Sequence, residues 1–202
     1  MKRGFLAGVT VTGAALLGKS LASEPGSPRF YGLTGAVAAA WLAGASAAGP
    51  VPRGRREVVP PALTGASAFA VFYAVALVAR RIPPLRRAIA GVLTYAHRGS
   101  TASVVLTTLA NGAAEEVFFR GAVYSAAGPH PVRTSTALYV LTTMATRNPA
   151  LVLASAVMGT LFGVQRQRSG GVQAPLVTHV VWSALMLAFL PRLFPRDEPG
   201  RK

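Results

Sequence analysis

A chain of 202 residues with 51% apolar side chains, 13% charged ones and a mean hydropathy of +0.43 lacks the polar shell of a soluble domain, where about a quarter of residues are charged. The net charge of +15 would suit nucleic acid, but that needs a basic face with groove-reading or stacking side chains; here Lys and Arg fall almost entirely between apolar blocks, and nucleic acid is excluded as a partner. There are no cysteines, so disulfides, thiolate nucleophiles and Cys-ligated metals are excluded as well.

The apolar blocks have the length and flanks of membrane-spanning helices. The expected fold is all-α, a polytopic membrane bundle of about six to eight helices spanning or lying in the membrane. The expected location is the bacterial plasma membrane. The first block, "GFLAGVTVTGAALLG" after Lys2 and Arg3, shares a basic start and a small-residue "LAS" with signal peptides. More membrane follows rather than a secreted domain, which favours a retained span. The second block covers about 31–48 and contains Trp41; the basic loop "PVPRGRREVVPP" leads to a third at about 62–79. "RRIPPLRRAIAGVLTYAHRGS" is too charged at its ends to span. It reads as a short interfacial helix with Leu85, Ile89 and Val92 or Leu93 on one face.

A fourth block, about 101–127, is closed by "AGPHP"; a fifth, about 134–146, ends at "RNP"; a sixth covers about 149–164. The turn "QRQRSGG" leads to the seventh, about 172–190, and a basic tail. Small residues line many blocks and allow close helix approach. The cluster from Arg80 to Arg98 and the tail fall on one side, which reads as cytoplasmic, and the cations there meet lipid headgroups.

Of six acidic residues, Glu24, Glu57, Asp197 and Glu198 lie in loops or the tail. Glu115 and Glu116 lie inside an apolar block, within "NGAAEEVFFRGAVY". A carboxylate at mid-membrane depth costs several kcal/mol, to order of magnitude, and is by default a functional hypothesis. Glu116 and Arg120 are one helical turn apart and can pair. Glu115 is rotated by about 100° and is free to face a cavity. A desolvated carboxylate without its own counter-charge is suited to taking a proton from water. Two other readings remain open: a packing ion pair with Glu115 as a bystander, and a proton or ion site in a transporter.

Three histidines occur. His97 and His130 read as loop residues. His179 lies in the last block, about one turn after Pro175, with Ser183 four residues further on the same face. A lone histidine bonded to backbone is the plain alternative. No HExxH, HxH or cysteine cluster is present. Glu115, Glu116 and His179 make three candidate zinc ligands, but Glu116 is better used on Arg120.

At this point the motifs are similar to a known family. "EEVFFR" resembles the EExxxR motif of the CPBP family, intramembrane proteases of the CAAX prenyl protease and bacteriocin-processing type. "GGVQAPLVTHVVWS" resembles that family's last motif, a His followed four residues later by Asn or Asp. The resemblance covers about 93–190. It divides the chain into N-terminal membrane helices (1–92), a catalytic core (93–190) and a basic tail (191–202).

The resemblance implies that Glu115 activates a water, that Glu116 and Arg120 form a supporting pair, and that His179 helps stabilise the oxyanion. A divalent metal such as zinc belongs to the same implication; the residues themselves argue for no cofactor. Two departures stand out. The middle motif, FxxxH, falls on Thr142 and Thr146 in "YVLTTMATRNP", and Ser183 stands where Asn or Asp is usual. Threonine can hydrogen-bond a water but cannot act as a base near neutral pH.

The expected site is therefore Glu115, Glu116, Arg120, Thr146, His179 and Ser183. The expected activity is hydrolysis of a peptide bond near the membrane surface, in a membrane-associated peptide or protein. The alternatives are a catalytically silent relative that binds a membrane partner, and a small proton-coupled transporter.

Overall fold

The computed structural model describes residues 2–195. The predicted tail lies outside the described residues from position 196 onward, and with it Asp197 and Glu198.

Prolines and cap residues set most helix starts. α1 (Lys2–Leu21) is followed by α2 (Pro28–Ala48), where Ser27 accepts from the Phe30 N–H and Pro28 takes the first turn. Both choices satisfy a terminus whose first donors have no partner inside the helix. α3 (Val59–Ala79) and α4 (Pro83–Arg98) also start on prolines. α5 (Thr101–Glu115) runs without a break into a π-helical stretch (Glu116–Val123) and a last turn, α6 (Tyr124–Ala126). α7 (Pro131–Met144), α8 (Pro149–Ser169) and α9 (Gln173–Leu193) complete the chain. With α5, the π-helical stretch and α6 taken as one, the described residues form eight helices, as the sequence leads one to expect.

α1, α2, α3, α8 and α9 are each long and apolar enough to cross a membrane. Their outer faces carry exposed Val11, Leu63, Val71, Leu153 and Val157. Water would penalise such a surface, whereas hydrocarbon does not. The chain is a polytopic helical membrane bundle.

The core forms around Trp41, which is fully buried and stacks on Phe118 at 4.7 Å and against Phe119 at 5.1 Å between ring centroids. Leu6 of α1 and Val37 and Ala45 of α2 close the same cluster, so the first block packs as part of the bundle. α1 approaches this closely because Gly13 has no side chain: a Cβ there would lie 2.0 Å from Trp41 Cη2. The indole cannot retreat from two phenyl rings. Gly13→Ala is expected to destabilise the protein by about 1–3 kcal/mol, the usual cost of overpacking, read as a lowered melting temperature in detergent.

Three expectations need correction. The interfacial segment is helical as read, and Ile89 and Leu93 pack on Ala76, Met186, Leu190 and Phe194, but Leu85 is exposed. His97 is not a loop residue: it sits in the last turn of α4, with Nε2 donating to the Phe194 carbonyl at 3.1 Å. "QRQRSGG" is not a turn throughout, because α8 continues to Ser169 and ends on Gly170 at φ 75°. Charged side chains extend that helix beyond the apolar stretch, since its last turn no longer needs to be apolar.

α4 is fastened at three points to the end of the bundle where α1 finishes and α8 begins. Asn148 Nδ2 donates to the Ala88 carbonyl at 2.8 Å, the Tyr95 hydroxyl donates to the Leu21 carbonyl, and His97 bonds Phe194. Asn148 does two jobs, since its Oδ1 also caps α8 by accepting from Ala150 and Leu151 N–H. The Arg80–Arg98 cluster and the end of α9 thus gather at one end of the bundle.

Candidate active site

The EEVFFR motif lies where the helix changes from α to π geometry, at Glu115 and Glu116. This differs from the continuous α-helix expected there. π-helical turns in α-helices are frequent at functional sites. The Glu116–Arg120 pair survives the change: Arg120 Nη1 donates to Glu116 Oε1 at 3.3 Å, and both side chains are fully buried.

Each charge is held on more than one side. Arg120 Nη2 donates to the Gly159 carbonyl of α8 at 3.0 Å, and its guanidinium lies over the rings of Tyr139 (4.6 Å) and Phe162 (5.2 Å). Glu116 Oε1 also receives His179 Nδ1 at 2.9 Å. A carboxylate only accepts, so Nδ1 bears a proton. The His179 ring stacks on Phe162 at 4.7 Å, and its Nε2 edge abuts Gly112. Glu116, Arg120 and His179 are thereby one buried cluster, joined across the π-helical stretch, α8 and α9.

Glu115 has different surroundings. It is partly buried and lies on the wall of a cavity of about 300 Å³. The Tyr139 hydroxyl donates to its Oε2 at 2.9 Å. The same cavity is lined by His179, Ser183 and Thr146, and it runs from Glu115 to Val92, Leu93, Tyr95 and Ala96 of α4. Of the six predicted residues, four line the cavity and two, Glu116 and Arg120, stand behind it. His179 serves both groups, since it lines the cavity while bonding Glu116.

The threonines sort by helix face. Thr142 is buried, does not line the cavity and has no partner for its hydroxyl among the described residues. Thr146 lines it from the turn after α7, where its Oγ1 accepts from the Asn148 N–H at 3.2 Å. Tyr139 and Thr143, also four residues apart, both line it. The sequence reading missed this pair. The spacing of the middle motif fits it equally well, and that spacing is the signal that could have found it.

Arg166, read as part of a turn, was missed too. It is buried, donates from Nε to the Arg120 carbonyl at 2.8 Å and lies over the Tyr124 ring at 4.8 Å. It anchors α8 to the motif-bearing helix. Asn111 is a third addition: its Nδ2 donates to the Thr34 carbonyl at 3.1 Å and ties α5 to α2 beside the cavity.

A zinc ion does not fit these residues. Among the described residues, no group of three His, Cys, Asp or Glu side chains is placed to hold a metal. Glu116 Oε1 is already shared by Arg120 and His179 Nδ1, and a dication there would face the guanidinium.

Gly112 offers a local test. A Cβ at this position would lie 3.2 Å from His179 Nε2 and Cδ2. Gly112→Ala is expected to displace the imidazole while leaving the helix intact, because alanine is the better helix former by about 1 kcal/mol. The check is a perturbed His179 ring resonance by NMR alongside an unchanged or higher melting temperature.

Comparison with known proteins finds one similarity. No curated protein and no solved structure matches the chain. A family model described as type II CAAX prenyl endopeptidase Rce1-like matches residues 97–185, which contain Glu115, Glu116, Arg120, Thr146, His179 and Ser183. The paired glutamates, the arginine and the distant histidine thus stand inside the matched segment, and residues 97–185 are similar to the Rce1-like type II CAAX prenyl endopeptidases.

Proposed function

We propose that the cavity hydrolyses a peptide bond in a membrane-associated chain, close to the membrane surface, through a water activated by Glu115. The single observation that carries this is the division of labour between the two glutamates. Glu116 is sealed with Arg120 and His179, whereas Glu115 faces a cavity of about 300 Å³ with no cation bonded to it among the described residues. The similarity of residues 97–185 to a family of prenyl endopeptidases supports the same reading.

The chemistry is balanced within the cluster. Glu115 takes a proton from water as the water oxygen attacks the scissile carbonyl carbon. The same proton then passes to the leaving amine as the C–N bond breaks, the pattern of a carboxylate serving first as base and then as acid. Thr143 and Thr146 on the cavity wall can hold the water. In its doubly protonated form His179 presents Nε2–H, with Ser183 one turn further on, to the developing oxyanion; a positioned donor of that kind is worth about 10²–10³ in rate. Glu116 fixes the ring by holding Nδ1.

The test is purified protein in liposomes offered a library of quenched membrane-proximal peptides and a farnesylated CAAX peptide. Cleavage products mapped by mass spectrometry are expected at one bond, and none with Glu115→Gln. A second reading, a silent relative that binds a membrane partner in the same cavity, is favoured by the threonines at the middle motif. Absence of cleavage by the wild-type protein across all probes supports it.

A further inference from the structure

The middle motif of this chain lacks its histidine, yet Glu115 is not left without a directing group. Tyr139 enters from α7, and its hydroxyl donates to Glu115 Oε2 at 2.9 Å. The phenol is held in place from two sides: its ring meets Phe119 at 5.1 Å between centroids and lies under the Arg120 guanidinium at 4.6 Å. Gly159 allows the approach, since a Cβ there would lie 3.2 Å from both Tyr139 Cδ1 and Arg120 Nη2. Tyr139 is therefore built into the wall that separates Glu115 from the Glu116–Arg120 pair.

We propose that Tyr139 is the positioning residue for Glu115, supplying the hydrogen bond that fixes the carboxylate where the middle motif has no histidine, with Tyr139 and Thr143 occupying the Phe and His positions of that motif. The proposal rests on Glu115 being the reactive carboxylate. Three observations favour this register over Thr142 and Thr146. Both members of the pair line the cavity, whereas Thr142 does not. Thr143 Oγ1 donates to the Tyr139 carbonyl at 2.9 Å, so the two are joined through α7 itself. The aromatic ring expected at the first motif position is present at 139 and absent at 142. With one carboxylate oxygen held by the phenol, the other is left for a water. Unlike an imidazole, a phenol does not take up a proton near neutral pH, so Tyr139 orients the base without competing for the proton.

Two measurements test this, and they do not share a point of failure. The first is infrared difference spectroscopy of the reconstituted protein, with the Glu115 carboxyl band assigned by its loss in Glu115→Gln. Tyr139→Phe keeps the ring contacts and removes the hydrogen bond, so the band is expected to shift; an unmoved band overturns the proposal whether or not the protein cleaves anything. If Tyr139→Phe does not fold, difluorotyrosine at 139, a stronger donor of the same shape, is expected to shift the band in the opposite sense, and an unmoved band again overturns the proposal.

The second is cleavage of the peptide probes above. Tyr139→Phe is expected to lower kcat by about 10–100-fold, the scale of groups that orient a reactive ligand, with KM unchanged. Adding Thr143→His to that variant is expected to restore part of the loss by returning a histidine to the motif. A merely structural tyrosine predicts no rescue, and full activity in Tyr139→Phe or failure of rescue overturns the proposal. If the wild-type protein cleaves none of the probes, the protease reading fails, and the infrared arm still decides whether Tyr139 holds Glu115.

Discussion

Glu116→Ala is expected to lower the unfolding free energy by about 3–5 kcal/mol, the range for removing one partner of a buried ion pair. The size follows from what is left behind. Arg120 is fully buried and would lose its carboxylate, and His179 Nδ1 would lose its acceptor. The carbonyl of Gly159 and the faces of Tyr139 and Phe162 still surround the guanidinium, which places the effect toward the lower part of that range. Two further atoms of the cluster, Glu116 Oε2 and Arg120 Nε, have no partner among the described residues even with the cluster intact, so the native arrangement holds little surplus to absorb the loss. Melting temperature in detergent, with and without Glu116→Ala, is the measurement. Any loss of activity in this variant should track the loss of folded protein and of the His179 orientation.

Glu115→Gln is expected to remove activity by about two to four decades, the usual contribution of a general base, while leaving the fold intact. Its side chain is only partly buried, faces a cavity and has the Tyr139 hydroxyl as its partner. Glutamine can keep that hydrogen bond, and even its complete loss is worth only about 0.5–1.5 kcal/mol. Two adjacent glutamates should therefore separate experimentally: one variant melts early, the other melts normally and does not cleave. Equal melting for Glu115→Ala and Glu116→Ala would contradict the assignment of their roles. Proton flux in liposomes that vanishes in Glu115→Gln, without any peptide cleavage, would give the same carboxylate to a transporter instead.

The contrast between these variants marks how far the sequence reaches. Hydropathy and the positions of Arg and Pro established a helical membrane bundle, because bilayer thickness and helix rise together dictate block length. The same reasoning gave α4 as a charged helix that does not cross. The candidate site, too, was legible in part. A carboxylate in oil is costly enough that Glu115 and Glu116 stand out in any apolar run, and the one-turn spacing to Arg120 made that pair predictable.

What spacing could not decide was helix rotation. "YVLTTMAT" carries hydroxyls at 139, 142, 143 and 146, so α7 has no distinct polar face. Two registers share the four-residue spacing of the middle motif; the aromatic at 139 favours one of them, but spacing gives no rotation for the helix. Packing of α7 against the motif-bearing helix turns Tyr139 and Thr143 to the cavity and buries Thr142 away from it, with Thr146 joining them from the following turn. The partner of His179 was hidden for a related reason. His179 and Glu116 are 63 positions apart, and which glutamate the imidazole meets depends on how α9 crosses the π-helical stretch. Local chemistry, fixed by transfer costs and helical periodicity, was written in the chain: where the membrane is, and which acids are out of place in it. Contacts between helices, fixed by rotation and crossing in a medium that gives no hydrophobic push between them, were settled only by the assembled bundle.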